Sequence, residues 1–503
     1  MSLAGFVARA AATAPDKVAL RCDGIGLGYR EFARQAAGFA GALRRSGVAH
    51  GDRVLIQHEN SLETAVAIVG TAWAGAVFVV VHPTAKPAKV GAILRNCAAR
   101  AVVARARRLA ELAGAAGPVL EVAIDGPGAA GTLGWADAAG SAPERVEVAA
   151  DELATVIYTS GSAGVPKGVM LSHGNLAAAT DSITSYLGNR ADDVLLGALP
   201  LSFGYGLTQL LTATSVGATL VLERAFVYPQ VLLDRLANER VTGFAVVPTM
   251  LALLLPREFP TAIAAQLRYL TVAGAALSAE QARAVQGKLP RTRVFAMYGQ
   301  TECLRISYLP PEELARRPTS VGKGMPGQEL ELVDADGRRV PPGTVGELVV
   351  RGPHVMLGYL GDPAATAAVL RVDPRDGTRT LRTRDLFRAD AEGFLYFVSR
   401  QDDIIKTRGE KVSPREVEAV LLAAPAVAQA AVVGVPDPAF GEAVAAFVVP
   451  AAGTTLDAQA LRSLCAEQLE DFMVPKHVCI REALPTTANG KLDKGALRAE
   501  FMS

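Results

Sequence analysis

Between Tyr158 and His173 the chain reads Tyr-Thr-Ser-Gly-Ser-Ala-Gly-Val-Pro-Lys-Gly-Val-Met-Leu-Ser-His, a polar, glycine-rich stretch with apolar residues on either side. Gly161 and Gly164 free the backbone to turn N–H groups toward an anion, Thr159, Ser160 and Ser162 add hydroxyl donors, and Lys167 adds a cation. That combination suits a polyphosphate. It is not the P-loop of the common NTPases, because Pro166 precedes the lysine and Gly168 stands where Ser or Thr should follow. Taken alone, the stretch reads more simply as a surface hairpin, since short Gly/Ser motifs recur by chance.

The elements that must hold this loop are short and apolar. Residues 153–158 and 168–171 read as two buried strands. Upstream, from 18 to about 150, helical periods such as 29–46 alternate with strands such as 53–56 and 76–81, which is α/β patterning. Downstream the alternation continues with strands at 218–222, 243–247 and 269–273 and helices at 229–240 and 279–289. From about Gly327 the style changes. Short strands at 329–333 and 346–351, with Asp336-Gly337 and Pro342-Gly343 between them, read as a β-rich subdomain. The polar run 400–403 marks a linker, after which Ser413-Pro414-Arg415-Glu416 predicts a capping box opening a helix to about Leu422. Strands at 429–433, 444–449 and 477–481 and a helix at 456–469 complete a small α/β unit.

The chain has 503 residues, half of them hydrophobic, enough for more than one domain. Lys and Arg number 51 against 50 Asp and Glu, so there is no basic excess of the kind that marks a nucleic-acid or anionic-membrane binder. The five cysteines are scattered without metal-ligand or disulfide spacing, and a reducing cytoplasm fits them. The uncharged run 64–81 reads as a buried helix and a core strand, because Gly70, Gly75 and His82-Pro83 interrupt it; no export signal and no membrane span are expected.

Four further segments carry side chains with chemical potential. Met297-Tyr298-Gly299-Gln300-Thr301-Glu302 follows an apolar strand and places a flat ring near a hard oxygen ligand, as a purine and a phosphate-bridging metal require. Arg382-Thr383-Arg384-Asp385-Leu386 offers a carboxylate suited to ribose hydroxyls, and Arg400-Gln401-Asp402 a charged hinge. Pro485-Thr486-Thr487-Ala488-Asn489-Gly490-Lys491 presents a lysine in a turn. Each of these alone is also readable as a solvated surface feature.

In residue type and order the five segments resemble the adenylate-forming superfamily, whose members include acyl- and aryl-CoA ligases and the adenylation domains of peptide synthetases. The resemblance covers essentially the whole chain. It implies a large N-terminal domain of several mixed sheets sandwiched by helices plus a β-rich subdomain (1–399), a hinge (400–402) and a small mobile α/β domain (403–503). It further implies that Thr159, Ser160, Gly161, Ser162, Gly164 and Lys167 hold phosphates, with Gly274, Ala275, Ala276, Tyr298, Gly299, Thr301, Asp385 and Arg400 completing the ATP/AMP site. Glu302 is the expected Mg²⁺ ligand, Asp402 the hinge residue, Lys491 the catalytic cation and Gly409 the wall of a thiol tunnel; Lys406, Arg408 and Lys411 either meet coenzyme A phosphates or form a solvated basic face. The chain departs from the family at Ala163, at Arg384 and Ser399, where glycine is usual, and at Phe203, where many acyl-CoA ligases have histidine.

The acid pocket implied by the resemblance is lined by Phe203, Gly204, Tyr205, Val247, Met297 and Cys303, with Ala275 as a further wall. Gly204 falls where amino-acid-activating relatives carry an aspartate. Without it an α-ammonium would be buried unpaired, so the expected substrate is an apolar or aromatic carboxylic acid lacking an α-amino group. The expected reaction joins the acid to ATP as an acyl-adenylate, releases pyrophosphate and passes the acyl group to coenzyme A. A free-standing carrier protein with a phosphopantetheine arm is the alternative acceptor; a luciferase-like oxidoreductase and a catalytically silent binding protein are further alternatives. A monomer or homodimer is expected.

Overall fold

The computed structural model describes residues 3–115, 119–126, 131–159, 167–225, 228–407, 410–437, 441–487 and 491–501. The chain divides into two compact units, residues 1–330 with 350–381, and residues 331–349 with 382–503. The hinge expected at 400–402 lies within the second of these.

The first unit holds two large sheets. One runs in the order Lys323–Gly324, Ser307–Tyr308, Arg293–Tyr298, Tyr269–Val272, Gly243–Val246, Val194–Gly197, Thr219–Leu222, Val18–Cys22, Ile25–Gly28. Its central pairings are parallel, and only the margins are antiparallel. These strands read as continuous apolar runs because helices cover both faces. The other sheet runs Gly358–Tyr359, Lys167–Ser172, Leu153–Thr159, Val77–Val80, Arg53–Gln57, Ala99–Ala104, Leu120–Ala123, Thr132–Gly134. Here the two strands that flank the glycine-rich loop pair antiparallel, with Thr159 opposite Lys167.

The uncharged run 64–81 is resolved as expected from its composition. Helix Leu62–Trp73 is buried from Thr64 onward, starts at Ser61, whose hydroxyl accepts from the Thr64 N–H at 3.2 Å, and is followed by strand Val77–Val80. No helix among the described residues is long and apolar enough to cross a membrane.

In the second unit, residues 385–389 pair antiparallel with strand Leu395–Arg400, and one residue, Val398, has no partner across the ladder. A β-bulge of this kind bends the strand that carries it. Further on, Val427–Asp437 and Gly441–Pro450 form a long antiparallel ladder, extended by Ile405–Thr407 and Glu410–Val412 on one side and by His477–Ile480, which runs parallel to Gly441–Pro450. Helices Pro414–Leu422 and Ala458–Gln468 pack on it through Val417, Leu421, Leu461 and Cys465.

The capping box expected at Ser413 is not formed. Ser413 is the N-cap and Pro414 follows it, but the serine side chain makes no cap hydrogen bond. Its hydroxyl instead donates to the carbonyl of the bulged Val398 at 3.3 Å.

Candidate active site

Strand Arg293–Tyr298 delivers the Tyr298-to-Glu302 segment, and a tight turn returns the chain along Ser307–Tyr308. Gly299 is required here: a Cβ would sit 2.7 Å from the Leu304 carbonyl oxygen and 3.0 Å from the Arg305 Cα. The turn closes with the Cys303 N–H donating to Gln300 O at 3.1 Å and Leu304 at φ 59°, a left-handed conformation unusual for a branched residue. Tyr298, Thr301 and Glu302 are left half-buried, while Cys303 is fully enclosed.

Glu302 does not stand alone. Its Oε1 accepts from the Tyr359 hydroxyl at 2.8 Å, and the Tyr359 ring lies under the Lys167 ammonium, 5.3 Å from its centroid. Its backbone carbonyl accepts from the Met356 N–H at 2.8 Å. The strand Gly358–Tyr359 is held in place by pairing with Val169 and Met170 and by Asn175, whose amide donates to Pro353 O and Val355 O at 2.7 and 3.0 Å. One tyrosine therefore bridges the lysine that ends the phosphate loop and the carboxylate expected to hold metal. Sequence reasoning missed Tyr359; its only signal was an apolar run closing on Gly358-Tyr359.

Ser160, Gly161, Ser162 and Gly164 lie outside the described residues, as do Arg408 and Gly409. Gly274 follows strand Tyr269–Val272 at φ 90°, leading to exposed Ala275 and Ala276 and then to Ser278, which caps helix Ala279–Lys288. Among the described residues no group of three or more His, Cys, Asp or Glu side chains could enclose a metal. A lone half-buried carboxylate fits a Mg²⁺ that takes its remaining oxygens from phosphates and water. Glu302 suits this, because among the described residues only Tyr359 bonds its carboxylate.

The segments expected to form the acid pocket meet in the same unit. Gly204 opens helix Gly204–Val216, and a Cβ there would meet Leu304 Cδ2 at 3.3 Å. The Phe203 and Tyr205 rings lie edge to face with centroids 6.5 Å apart, and the Tyr205 hydroxyl shares a 2.6 Å hydrogen bond with Thr271 Oγ1. Val247 is buried at the start of helix Pro248–Leu254. Met297 is buried and its sulfur accepts from the Tyr186 hydroxyl at 3.2 Å; Tyr186 stacks on Tyr308 with centroids 4.0 Å apart. Behind Tyr205 stands Arg305, which sequence reasoning also missed.

In the second unit, Asp385 and Arg400 occupy the same rung of the ladder, and Arg400 Nε lies 3.4 Å from Asp385 Oδ1. Arg384, where a glycine was expected, has φ 58°. The left-handed turn has thus been kept with an arginine in it, held by its N–H donating to Glu347 Oε1 at 3.1 Å. Glu347 is also paired with Arg382. Ser399 is buried, with its hydroxyl donating to Arg400 O at 3.0 Å. Asp402 falls in the helical turn Gln401–Asp403. The Arg415 guanidinium lies over the Phe397 ring at 4.4 Å, and burial there holds its pKa below the usual arginine value. Lys491 closes a turn in which the Thr487 N–H donates to Lys491 O at 2.6 Å and the Lys491 N–H to Thr487 Oγ1 at 3.3 Å. Lys406 and Lys411 share a rung of the antiparallel pair Ile405–Thr407 and Glu410–Val412.

Residues 7–360 match the model of the AMP-binding enzyme family and residues 416–491 that of the AMP-binding enzyme C-terminal domain. The chain is 35% identical to a feruloyl-CoA synthase of Amycolatopsis sp, over 99% of each chain. ATP-bound MatB from Rhodopseudomonas palustris superposes with a TM-score of 0.90 at 30% identity, covering 100% of this chain and 99% of that one. The amide bond synthetase McbA from Marinactinospora thermotolerans superposes at 0.89 and 31% identity, covering both chains completely. The chain therefore belongs to the AMP-binding enzyme family and is an ATP-dependent, adenylate-forming ligase.

Proposed function

We propose that the protein activates a carboxylic acid as an acyl-adenylate, with release of pyrophosphate, and then transfers the acyl group to the thiol of coenzyme A, releasing AMP. The observation that carries the nucleotide half is the linkage of Lys167, Tyr359 and Glu302. It sets a cation over the face of one tyrosine and a hard anion at that tyrosine's hydroxyl, an arrangement suited to a polyphosphate and its metal.

The roles follow from charge. The acid's carboxylate must approach the α-phosphate, two like charges, while a third charged group departs. Lys491 offsets that repulsion as charge develops, which is where fixed electrostatics lowers a barrier most. Lys167 and the hydroxyls of Thr159 and Thr301 bind phosphate oxygens; Asp385 and Arg400 take the ribose; Tyr298 offers its ring to the adenine. Glu302 would hold Mg²⁺, which would supply neutralisation of phosphate charge. The neighbouring Tyr359 keeps the carboxylate oriented for it.

Coenzyme A is favoured as acceptor by the feruloyl-CoA synthase relative. The amide bond synthetase neighbour favours a second reading, in which an amine takes the acyl group.

The deciding experiment measures pyrophosphate release across a panel of aliphatic, aromatic and amino acids with ATP and Mg²⁺, alone and with coenzyme A, a phosphopantetheinyl carrier protein or a simple amine. Release accelerated by coenzyme A with a thioester product supports the proposal. Acid-dependent release accelerated only by the amine or the carrier reassigns the second step, and absence of release with every acid removes the first.

A further inference from the structure

Arg305 is only 2% exposed. Among the described residues no carboxylate lies within ion-pair distance of its guanidinium, and its Nε is buried without a hydrogen-bond partner. A buried cation in this condition is costly, and arginine cannot escape the cost by losing its proton. What it has is the face of Tyr205, 4.6 Å from the guanidinium carbon to the ring centroid. A ring face offsets part of the lost hydration but accepts no N–H hydrogen bonds.

The surrounding phenols cannot supply the missing charge. Burial raises the ionisation of Tyr205 well above its ordinary range and pushes Tyr186 up to about 12, so both stay neutral despite the arginine beside them. Glu302, three residues earlier in the chain, accepts from Tyr359 and makes no ion pair with Arg305. The guanidinium therefore stands over Tyr205, whose ring meets that of Phe203, with its hydrogen-bonding capacity largely unspent.

This bears on which acid is activated, and so rests on the ligase reading given above. An ion pair between Arg305 and the reacting carboxylate would stabilise the ground state and blunt the nucleophile, so a second, unreactive carboxylate is the better occupant. We propose that Arg305 determines acyl specificity by receiving a second carboxylate, remote from the reacting one. The substrate is then a compact dicarboxylic acid whose middle lies against Phe203 and Tyr205. This revises the wholly apolar acid expected from the sequence by one charged end.

The test compares matched acids, benzoate with terephthalate, cinnamate with 4-carboxycinnamate and butyrate with glutarate. Pyrophosphate release gives kcat/KM for each, and isothermal titration of the full-length enzyme with the same acids gives binding irrespective of turnover. Wild-type enzyme should favour the diacid in at least one pair by about 30-fold or more, the scale of a desolvated charge pair. Arg305→Met should abolish that preference while retaining the monoacid, and Arg305→Lys should keep part of it as a point charge. Diacid binding with no pyrophosphate release from any acid would refute the ligase reading and leave this inference standing. A wild-type enzyme that binds monoacids as tightly as diacids, or that binds neither, overturns it; so does an Arg305→Met enzyme with an unchanged ratio. Should Arg305→Met not fold, the wild-type ratio and Arg305→Lys still decide.

Discussion

Removing the Tyr359 hydroxyl separates its bond to Glu302 from the packing of the ring. In Tyr359→Phe the ring beneath Lys167 remains and the 2.8 Å bond to Glu302 is lost. A bond to a charged acceptor contributes about 1.5–3 kcal/mol when shielded. Glu302 is half-buried, so water replaces part of it and the loss should be about 1–2 kcal/mol, or roughly 5- to 30-fold in kcat/KM for Mg-ATP. Tyr359→Leu removes the ring as well. A cation–π contact at a partly exposed site contributes about 0.5–1 kcal/mol, so the second variant should fall a further two- to five-fold or so. The assay is acid-dependent pyrophosphate release with ATP varied at saturating acid. The loss should reside mainly in the nucleotide's kcat/KM and shrink as free Mg²⁺ is raised. If Tyr359→Phe stays within two-fold of wild type, or if the loss appears in the acid's KM alone, the tyrosine is a packing residue.

Three further outcomes are expected. Lys491→Ala should slow adenylation by about 100- to 1,000-fold, the scale of one preorganised charge, while largely sparing thioester formation from a supplied acyl-adenylate; equal loss in both steps would detach Lys491 from the first. Arg384→Gly should stabilise the protein by up to about 1 kcal/mol in urea unfolding, because a side chain at φ 58° is strained, and a destabilised variant would show that the arginine's own contacts outweigh that strain. His173 and His354 are both buried, and burial lowers each from the usual 6.5 to about 4. The unfolded chain then binds more protons than the folded one between those values. Their stabilisation is complete above pH 6.5 and is lost as pH falls toward 4, at up to about 2.7 kcal/mol per pH unit for the two together. A urea midpoint unchanged between pH 7 and 5 would contradict this.

The sequence made the framework legible where one physical rule acted alone. Strands Leu153–Thr159 and Lys167–Ser172 and helix Leu62–Trp73 follow from apolar runs that nothing else could bury. Ser413 was legible as the start of a helix but not as the donor to Val398, because a cap chooses between local and distant partners. Tyr359 and Arg305 escaped for different reasons. Tyr359 meets Glu302 across 57 residues of chain and carries no charge to draw notice. Arg305 looks in sequence like any surface arginine, and only its burial makes it unusual. Arg384 was visible as a departure from glycine; the structure adds that the backbone conformation survived the change.

The unpaired Val398 gives this stretch a spare residue. In a regular ladder, counting on from Phe397 opposite Phe387 would set Val398 opposite Leu386 and Ser399 opposite Asp385. The bulge takes Val398 out of the count, and Arg400 reaches Asp385 instead. Deleting Val398 would leave Ser399 opposite Leu386 and Arg400 opposite Asp385, so the charge pair tolerates the loss of that one residue. A designer seeking a different group beside Asp385 would have to substitute position 400, not shorten the strand.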